Sequence, residues 1–323
     1  MTRPPVLVLT AGLGTRLRPL TYVRAKAAVP VNGRPLAERA ARWLAGHGFT
    51  NQVFNLHHHP ASVAACLGDG AALGVRVRYS WEQPVLGSAG GPRHALPLLT
   101  DGGYSRMLLV NGDTLTDADL DGLLRRHEAS GARVTMALIP NPAPTRYGGV
   151  SVDADGLVTG FTPRGQVMDS YHFIGVQVAE ADVFAGLEDG VPSESVGALY
   201  PAMMREAPGS VAAYISQASF QDIGRPADLL ATSIALTSAE GDHLVSPASR
   251  VSRDAILERT AVWDDVVIGD GAHLVDCIVA DGCRVPQGMT LTGCAVVPDR
   301  GHTPQGAERI EQGLLIHPFR LHA

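Results

Sequence analysis

The chain lacks the features that would set it apart from an ordinary globular protein. No apolar run approaches the ~20 residues that a bilayer span needs. The start, Met1-Thr2-Arg3-Pro4-Pro5, carries one positive charge, and the apolar run behind it is too short for a signal peptide. Four cysteines, Cys66, Cys277, Cys283 and Cys294, show neither a Cys-x-x-Cys spacing nor a dense framework. That excludes a disulfide-stapled scaffold and favours reduced thiols. Positive charge is not in excess either: 26 basic and 32 acidic residues leave a net −6. Neither nucleic acid nor a membrane surface is therefore an expected partner. These absences point to a cytoplasmic protein. What remains is 323 residues, 45% hydrophobic and 18% charged, enough for one large domain and a smaller one. Any phosphate chemistry must come from a few placed cations.

Short apolar runs alternate with amphipathic stretches over the first 140 residues. Val6–Thr10, Val53–Leu56, Val75–Tyr79, Met107–Val110 and Val134–Ile139 read as strands. Pro35–His47, Ala61–Leu67, Ser88–Leu99 and Asp117–Ser130, the last capped by Asp117, read as helices. This alternation predicts an α/β fold with a doubly wound, mostly parallel, Rossmann-like sheet. From Gly149 to Val178 the strands shorten around turns such as Asp155-Gly156, which suits hairpins. Pro226–Glu240 closes the first domain as a helix, giving domains of 1–242 and 243–323. In the second, Val245, Val251, Leu257, Trp263, Ile268, Leu274, Val279, Val285, Leu291 and Val297 recur at steps of six, two of them five. That period predicts a short left-handed parallel β-helix of about three coils. Leu314-Leu315-Ile316 is a candidate last strand.

Three constellations carry chemistry. An apolar strand delivers Gly12-Leu13-Gly14-Thr15 and then Arg16, Arg18 and Lys26. Glycines admit close backbone approach, and free N–H groups beside cations suit phosphate. Val110-Asn111-Gly112-Asp113 places a carboxylate at the carboxyl edge of a strand, where α/β folds bind ligands; a simple strand-to-helix turn would look the same. Glu82 to Gly91 places Gly87-Ser88 where a loop becomes a helix, with unfilled N–H groups. For Ser88 as a side chain, plain capping is the stronger reading. His57-His58-His59 is no metal site by its pattern, because adjacent side chains of an extended segment cannot all face one ion. Asp117, Asp119 and Asp121 suit a solvated helix start, and Trp43 and Leu44 the core.

With Thr15-Arg16-Leu17, the trailing lysine and Gly33-Arg34-Pro35-Leu36, the first constellation resembles the signature of sugar-1-phosphate nucleotidylyltransferases. The resemblance runs from about residue 6 to 240, with the β-helix appended as in several members. It implies an enzyme that uses an NTP and a sugar 1-phosphate to make an NDP-sugar and pyrophosphate. It also implies Mg²⁺ on Asp113 and on Asp222, the latter in Phe220-Gln221-Asp222-Ile223-Gly224-Arg225-Pro226. Arg16 would hold pyrophosphate and Lys26 the reacting phosphates. Leu9, Ala11, Gly12, Gly14, Thr15, Gln83, Gly87 and Ser88 would line the nucleotide, and Asn111, Gly148 and Gly175 the sugar phosphate.

One segment departs from the family pattern. Where relatives carry Glu-Lys-Pro, this chain has Thr162-Pro163-Arg164-Gly165. Arg164 stands in for the lysine that meets the sugar phosphate, and Pro163 removes an acceptor, so the sugar is left open. The Leu86-Gly87-Ser88-Ala89-Gly90 stretch and the β-helix look most like mannose-1-phosphate guanylyltransferases, which would make the chain a GTP-binding member of a polysaccharide-precursor pathway. A uridylyl- or adenylyl-transferring relative and a catalytically silent NDP-sugar-binding subunit are the alternatives. The coils are expected to serve a homo-oligomer.

Overall fold

A computed structural model of the chain describes residues 3–166 and 169–321. It divides into two compact units. The first takes residues up to Gly12, Arg39–His58 and Leu67–Gln221; the second takes Leu13–Glu38, His59–Cys66 and the chain from Asp222 onward.

The first unit is built on one sheet. Its strands are β1 (Val6–Leu9), β2 (Asn51–Leu56), β3 (Arg76–Trp81), β4 (Arg106–Asn111), β5 (Val134–Pro140), β6 (Gly149–Val152), β7 (Val158–Thr162), β8 (Tyr171–Glu180) and β9 (Val211–Ile215). The order β3-β2-β1-β4 is parallel throughout. β1, β2 and β4 are runs buried on both faces, whereas β3 at the edge buries Val77 and Ser80 and exposes Arg76 and Trp81. Beyond β4 the sheet changes character. β8 runs antiparallel to β4, β5 and β6, and β6–β7 is a hairpin turning at Asp155-Gly156, where Gly156 has φ +76°. The sheet is thus a mixed one, with the Rossmann-like order confined to its first half. Helix α1 (Leu36–Gly46) spans the division between the units and buries Leu36, Ala37, Ala40, Ala41 and Leu44, while Trp43 is only half-buried. Next come α2 (Pro60–Leu67) and α3 (Gly87–Leu99); α3 packs Ala89, Ala95 and Leu99 into the core of Leu7, Val53 and Leu109. Helix α4 (Leu120–Ser130) starts later than expected. Its cap is Asp119, which accepts from the Gly122 N–H at 2.9 Å, whereas Asp117 accepts from the Ser219 N–H at 2.7 Å.

The second unit contains α5 (Pro226–Glu240) and three stacked parallel sheets. Residues 250–251 pair with 267–268 and these with 284–285; 256–258, 273–275 and 290–292 form the second face; 261–262, 278–279 and 295–296 the third. Each partner lies 17 residues on. The five-residue steps are therefore regular: each coil spends six, five and six residues on its three sides. The inward residues of the third face are Val262, Val279 and Val296, not Trp263 and Val297. Both of those neighbours are also buried, so hydrophobicity alone could not separate them. The expected last strand forms at Leu314–Pro318, antiparallel to Cys294–Pro298. All four cysteines are free thiols. Burial pushes Cys277 and Cys283 up to about 12 and Cys66 up to about 11, which leaves them inert as nucleophiles. No helix among the described residues is long and apolar enough to cross a membrane.

Candidate active site

In the first unit the chain runs β1, β2, β3 to one side and then crosses to place β4 on the other side of β1. Ligands of open α/β sheets bind at the carboxyl ends of such a strand pair. Leu9 and Asn111 are in register there, and the Gly112 N–H donates to the Leu9 carbonyl at 2.9 Å. A Cβ on Gly112 would stand 2.5 Å from Thr10 Cγ2 and 2.8 Å from Leu9 O, so only glycine fits. Across β4, Gly175 has φ +79°, and a Cβ there would meet the Asn111 side chain at 2.8 Å. The Asn111 side chain therefore lies over the bare backbone of β8. A Cβ on Gly12 would meet nothing within 4 Å, so the protein leaves that approach open. Leu9, Ala11, Gly12, Asn111, Asp113 and Gly175 thus converge on one sheet edge.

A buried polar chain braces this edge, and sequence reasoning missed it. Asn55, at the end of β2, accepts through Oδ1 from the Thr10 N–H at 2.5 Å and the Ala11 N–H at 3.2 Å. Its Nδ2 donates to Glu82 Oε1 at 2.7 Å, and Glu82 Oε2 accepts from the Leu86 N–H at 2.8 Å. Glu82 is 1% exposed. The carboxylate thereby links the loop after β1 to the Gln83–Gly87 loop. Gln83 itself is exposed.

The start of α3 is occupied from within. Ser193 O accepts from the Ala89 and Gly90 N–H groups at 2.9 and 3.1 Å. Ser88 Oγ donates to Glu194 Oε2 at 2.7 Å and accepts from the Ser195 N–H at 2.9 Å. Ser88 does not cap α3, whose start has no side-chain cap; its hydroxyl instead ties the helix to the Glu194–Ser195 segment. A Cβ at Gly87, φ +77°, would stand 2.7 Å from Glu194 Oε1. On the other flank, the turn after β7 lies on the 143–148 loop: the Gly165 N–H donates to Pro144 O at 2.9 Å, and a Cβ on Gly148 would sit 3.1 Å from Thr162 O. Gly148 and the exposed Arg164 are thus neighbours. Tyr147, His172 and Phe220 form an aromatic cluster beside them, with centroids 4.4 to 5.5 Å apart.

In the second unit, Leu13–Glu38 folds back on itself through three short 3₁₀ turns. Gly14 has φ +61°, and its Cβ would be 2.7 Å from Thr21 Cγ2 and 3.1 Å from Lys26 Cβ. Thr21 Oγ1 donates to Gly14 O at 3.0 Å. Arg16 lies against the turn that follows Asp222: a Cβ on Gly224 would come within 3.2 Å of both terminal guanidinium nitrogens. The sequence holds 25 arginines and one lysine, and that lysine is Lys26. Gly14, Thr15, Arg16, Lys26 and Asp222 are thereby assembled on one unit. No group of three or more His, Cys, Asp and Glu that could hold a metal occurs among the described residues. His57 instead pairs Nδ1 with the Glu82 carbonyl at 2.9 Å.

An α/β unit with a partly Rossmann-like sheet, and a second unit of stacked parallel coils, define the architecture. The nucleotidyl transferase family profile matches residues 5–239, and the chain belongs to that family. Its curated relatives are sugar-1-phosphate nucleotidylyltransferases. One is mannose-1-phosphate guanylyltransferase of Mycobacterium tuberculosis, 29% identical over 88% of this chain and 82% of that protein. Another is N-acetylmuramate α-1-phosphate uridylyltransferase of Neisseria meningitidis, 34% identical over 62% of this chain and 84% of the relative. Among solved structures, HddC from Yersinia pseudotuberculosis, also determined with GMP-PN, shares the fold with a TM-score of 0.63 and 20% identity over 72% of this chain and 99% of its own.

Proposed function

We propose that this enzyme transfers a guanylyl group from GTP to a mannose-1-phosphate-like sugar 1-phosphate. A phosphate oxygen of the sugar 1-phosphate bonds to the α-phosphorus, the bond from that phosphorus to the α–β bridging oxygen breaks, and pyrophosphate leaves. Such a transfer asks for positioning and charge neutralisation rather than covalent help from the protein. The observation that carries the reading is the assembly of Gly14, Arg16 and Lys26 with the Asp222–Gly224 turn. Arg16 holds the leaving pyrophosphate, where a guanidinium fork suits two oxygens. Lys26 holds the reacting phosphates. Leu9, Ala11, Gly12, Thr15, Gln83 and Gly87 line the nucleotide, while Asn111, Gly148, Arg164 and Gly175 meet the sugar phosphate. Asp113 and Asp222 are each proposed as a Mg²⁺ ligand. The donor set fits, since Mg²⁺ takes one or two carboxylates with phosphates and water rather than an all-protein cage. Bound there, the ion supplies charge neutralisation at the phosphate oxygens.

Base choice is supported by Glu194. The family resemblance sets the nucleobase beside Gly87, and the Glu194 carboxylate lies against that glycine. A carboxylate accepts from the two adjacent donors of guanine, N1–H and N2–H, and faces repulsion from the carbonyls that flank the one imide N–H of uracil. A screen of four NTPs against sugar 1-phosphates, read by pyrophosphate release, tests the whole reading; it expects GTP with mannose 1-phosphate to lead. Glu194→Gln is expected to narrow the GTP-to-UTP ratio of kcat/KM at least tenfold. An unchanged ratio removes Glu194 from base recognition. Uridylyl transfer is the second reading, favoured by the Neisseria meningitidis relative.

A further inference from the structure

Lys26 opens a 3₁₀ turn, Lys26–Ala28, in a segment of short turns and a two-residue ladder, so side-chain ties to the rest of the unit help fix its position. Two residues before it, Arg24 is held on three sides. Its Nε donates to Asp281 Oδ2 at 2.5 Å and its Nη2 to Asp281 Oδ1 at 2.7 Å and Asp264 Oδ2 at 2.5 Å. The guanidinium lies over the Trp263 indole, 5.6 Å from the centroid, and the side chain is only 16% exposed. The two carboxylates are themselves fixed. Asp264 accepts from Ser246 Oγ at 2.5 Å, and its N–H donates to Asp281 Oδ1 at 3.1 Å. Asp264 and Asp281 are 17 residues apart and so occupy the same corner of successive coils; Pro298 takes that corner on the next. A planar fork gripped by a ladder of two carboxylates fixes orientation as well as place, which a lysine ammonium at position 24 could not do. Nearby, Tyr22 stacks on His302 at 4.7 Å, and the Ala25 N–H donates to Ser62 Oγ at 2.9 Å.

We infer that the coils are the seat of the phosphate loop, with Arg24 as the positioning residue through which Asp264 and Asp281 set Lys26 for its phosphates. The role of Lys26 rests on the function proposed above; the clamp does not. The chain's single lysine makes a direct readout possible. Reductive ¹³C-methylation of the full chain keeps the charge and labels only Lys26 and the α-amino group. In Arg24→Ala the Lys26 resonance is expected to move. In pyrophosphorolysis the KM for pyrophosphate is expected to rise tenfold or more, while the forward KM for sugar 1-phosphate stays within twofold. Arg24→Lys keeps the charge and loses the fork, so it is expected to recover part of both effects. It also carries the test if Arg24→Ala does not fold. An unmoved Lys26 resonance in both variants overturns the clamp, as does a uniform fall of every kinetic constant together with the melting temperature. Undiminished activity in Lys26→Ala, with the resonance shift in Arg24→Ala intact, overturns the role of Lys26 and spares the clamp.

Discussion

Glu82 shows how one buried carboxylate can hold two loops at the sheet edge. Its oxygens take one donor each, Asn55 Nδ2 and the Leu86 N–H, and the Asn55 amide orientation is fixed in turn by two backbone donors, Thr10 and Ala11. Glu82→Gln keeps the volume but turns one acceptor into a donor facing a donor. We expect a loss on the order of 1–3 kcal/mol, seen as a lower midpoint in urea with unchanged slope, and a raised KM for NTP. A variant as stable as the parent would remove Glu82 as the brace, because a flipped Asn55 amide would turn its nitrogen toward the Thr10 and Ala11 N–H groups. The two carboxylates proposed as Mg²⁺ ligands are tested at the same scale. Asp113→Asn and Asp222→Asn are each expected to lower kcat at least a hundredfold at saturating Mg²⁺ while the melting temperature changes little. The glycines, arginines and aspartates proposed for the site could be singled out because the Gly12–Thr15 turn with its cations suits phosphate and the motifs around Asp113 and Asp222 resemble those of the family. Asn55 and Glu82 were not: a polar residue inside an apolar strand, and a glutamate before a loop, have no pattern of their own until the fold brings them together.

At the scale of elements, periodicity fixed the parallel strands and the coils, and it failed where two neighbours satisfied it equally. Val262 and Trp263 are both buried, as are Val296 and Val297; only the 17-residue pairing register separates the coil interior from the side that meets Arg24. Asp117 was the expected N-cap of α4, but the cap is Asp119, because Asp117 takes the Ser219 N–H. Within α4, His127 is 3% exposed and bridges Thr135 Oγ1 at 2.9 Å and Glu180 Oε1 at 3.1 Å. Burial holds its imidazole below the ordinary pKa; the Glu180 hydrogen bond and charge oppose this, Arg106 adds to it and Glu128 opposes it. The unfolded chain, with an ordinary value of about 6.5, therefore takes up the proton first. Stability from neutral His127 is complete above that pH and is lost as pH falls through the lower folded value. We expect the melting temperature to drop between pH 7 and 5.5, and His127→Gln to flatten that slope. An unaltered slope would move the effect to another group.

Over the whole molecule, the least legible feature is which unit the segment Leu13–Glu38 belongs to. By sequence Leu13–Glu38 sits inside the α/β domain, and the coils look like an appended assembly module. In the structure that segment is grouped with the coils. Its ties there are spread along it: Tyr22 on His302, Arg24 on Asp264 and Asp281, and Asn32, whose Oδ1 accepts from the His243 N–H at 3.0 Å. Gly33, φ +75°, lies so close to His243 that a Cβ would stand 2.8 Å from its carbonyl oxygen. These partners all lie beyond residue 242, so no local pattern near the loop could reveal them. A chain ending at Asp242 keeps every residue proposed for catalysis but loses all of these ties. If the coils served assembly alone, such a chain would change mass in solution and retain its pyrophosphate KM. We expect instead that the KM for pyrophosphate rises at least tenfold, whatever the oligomeric state, because a loop freed from its tethers spends binding energy on being ordered. Sedimentation velocity and pyrophosphorolysis kinetics on the same preparation separate the two outcomes. An altered mass with an unaltered KM would return the coils to a role in assembly.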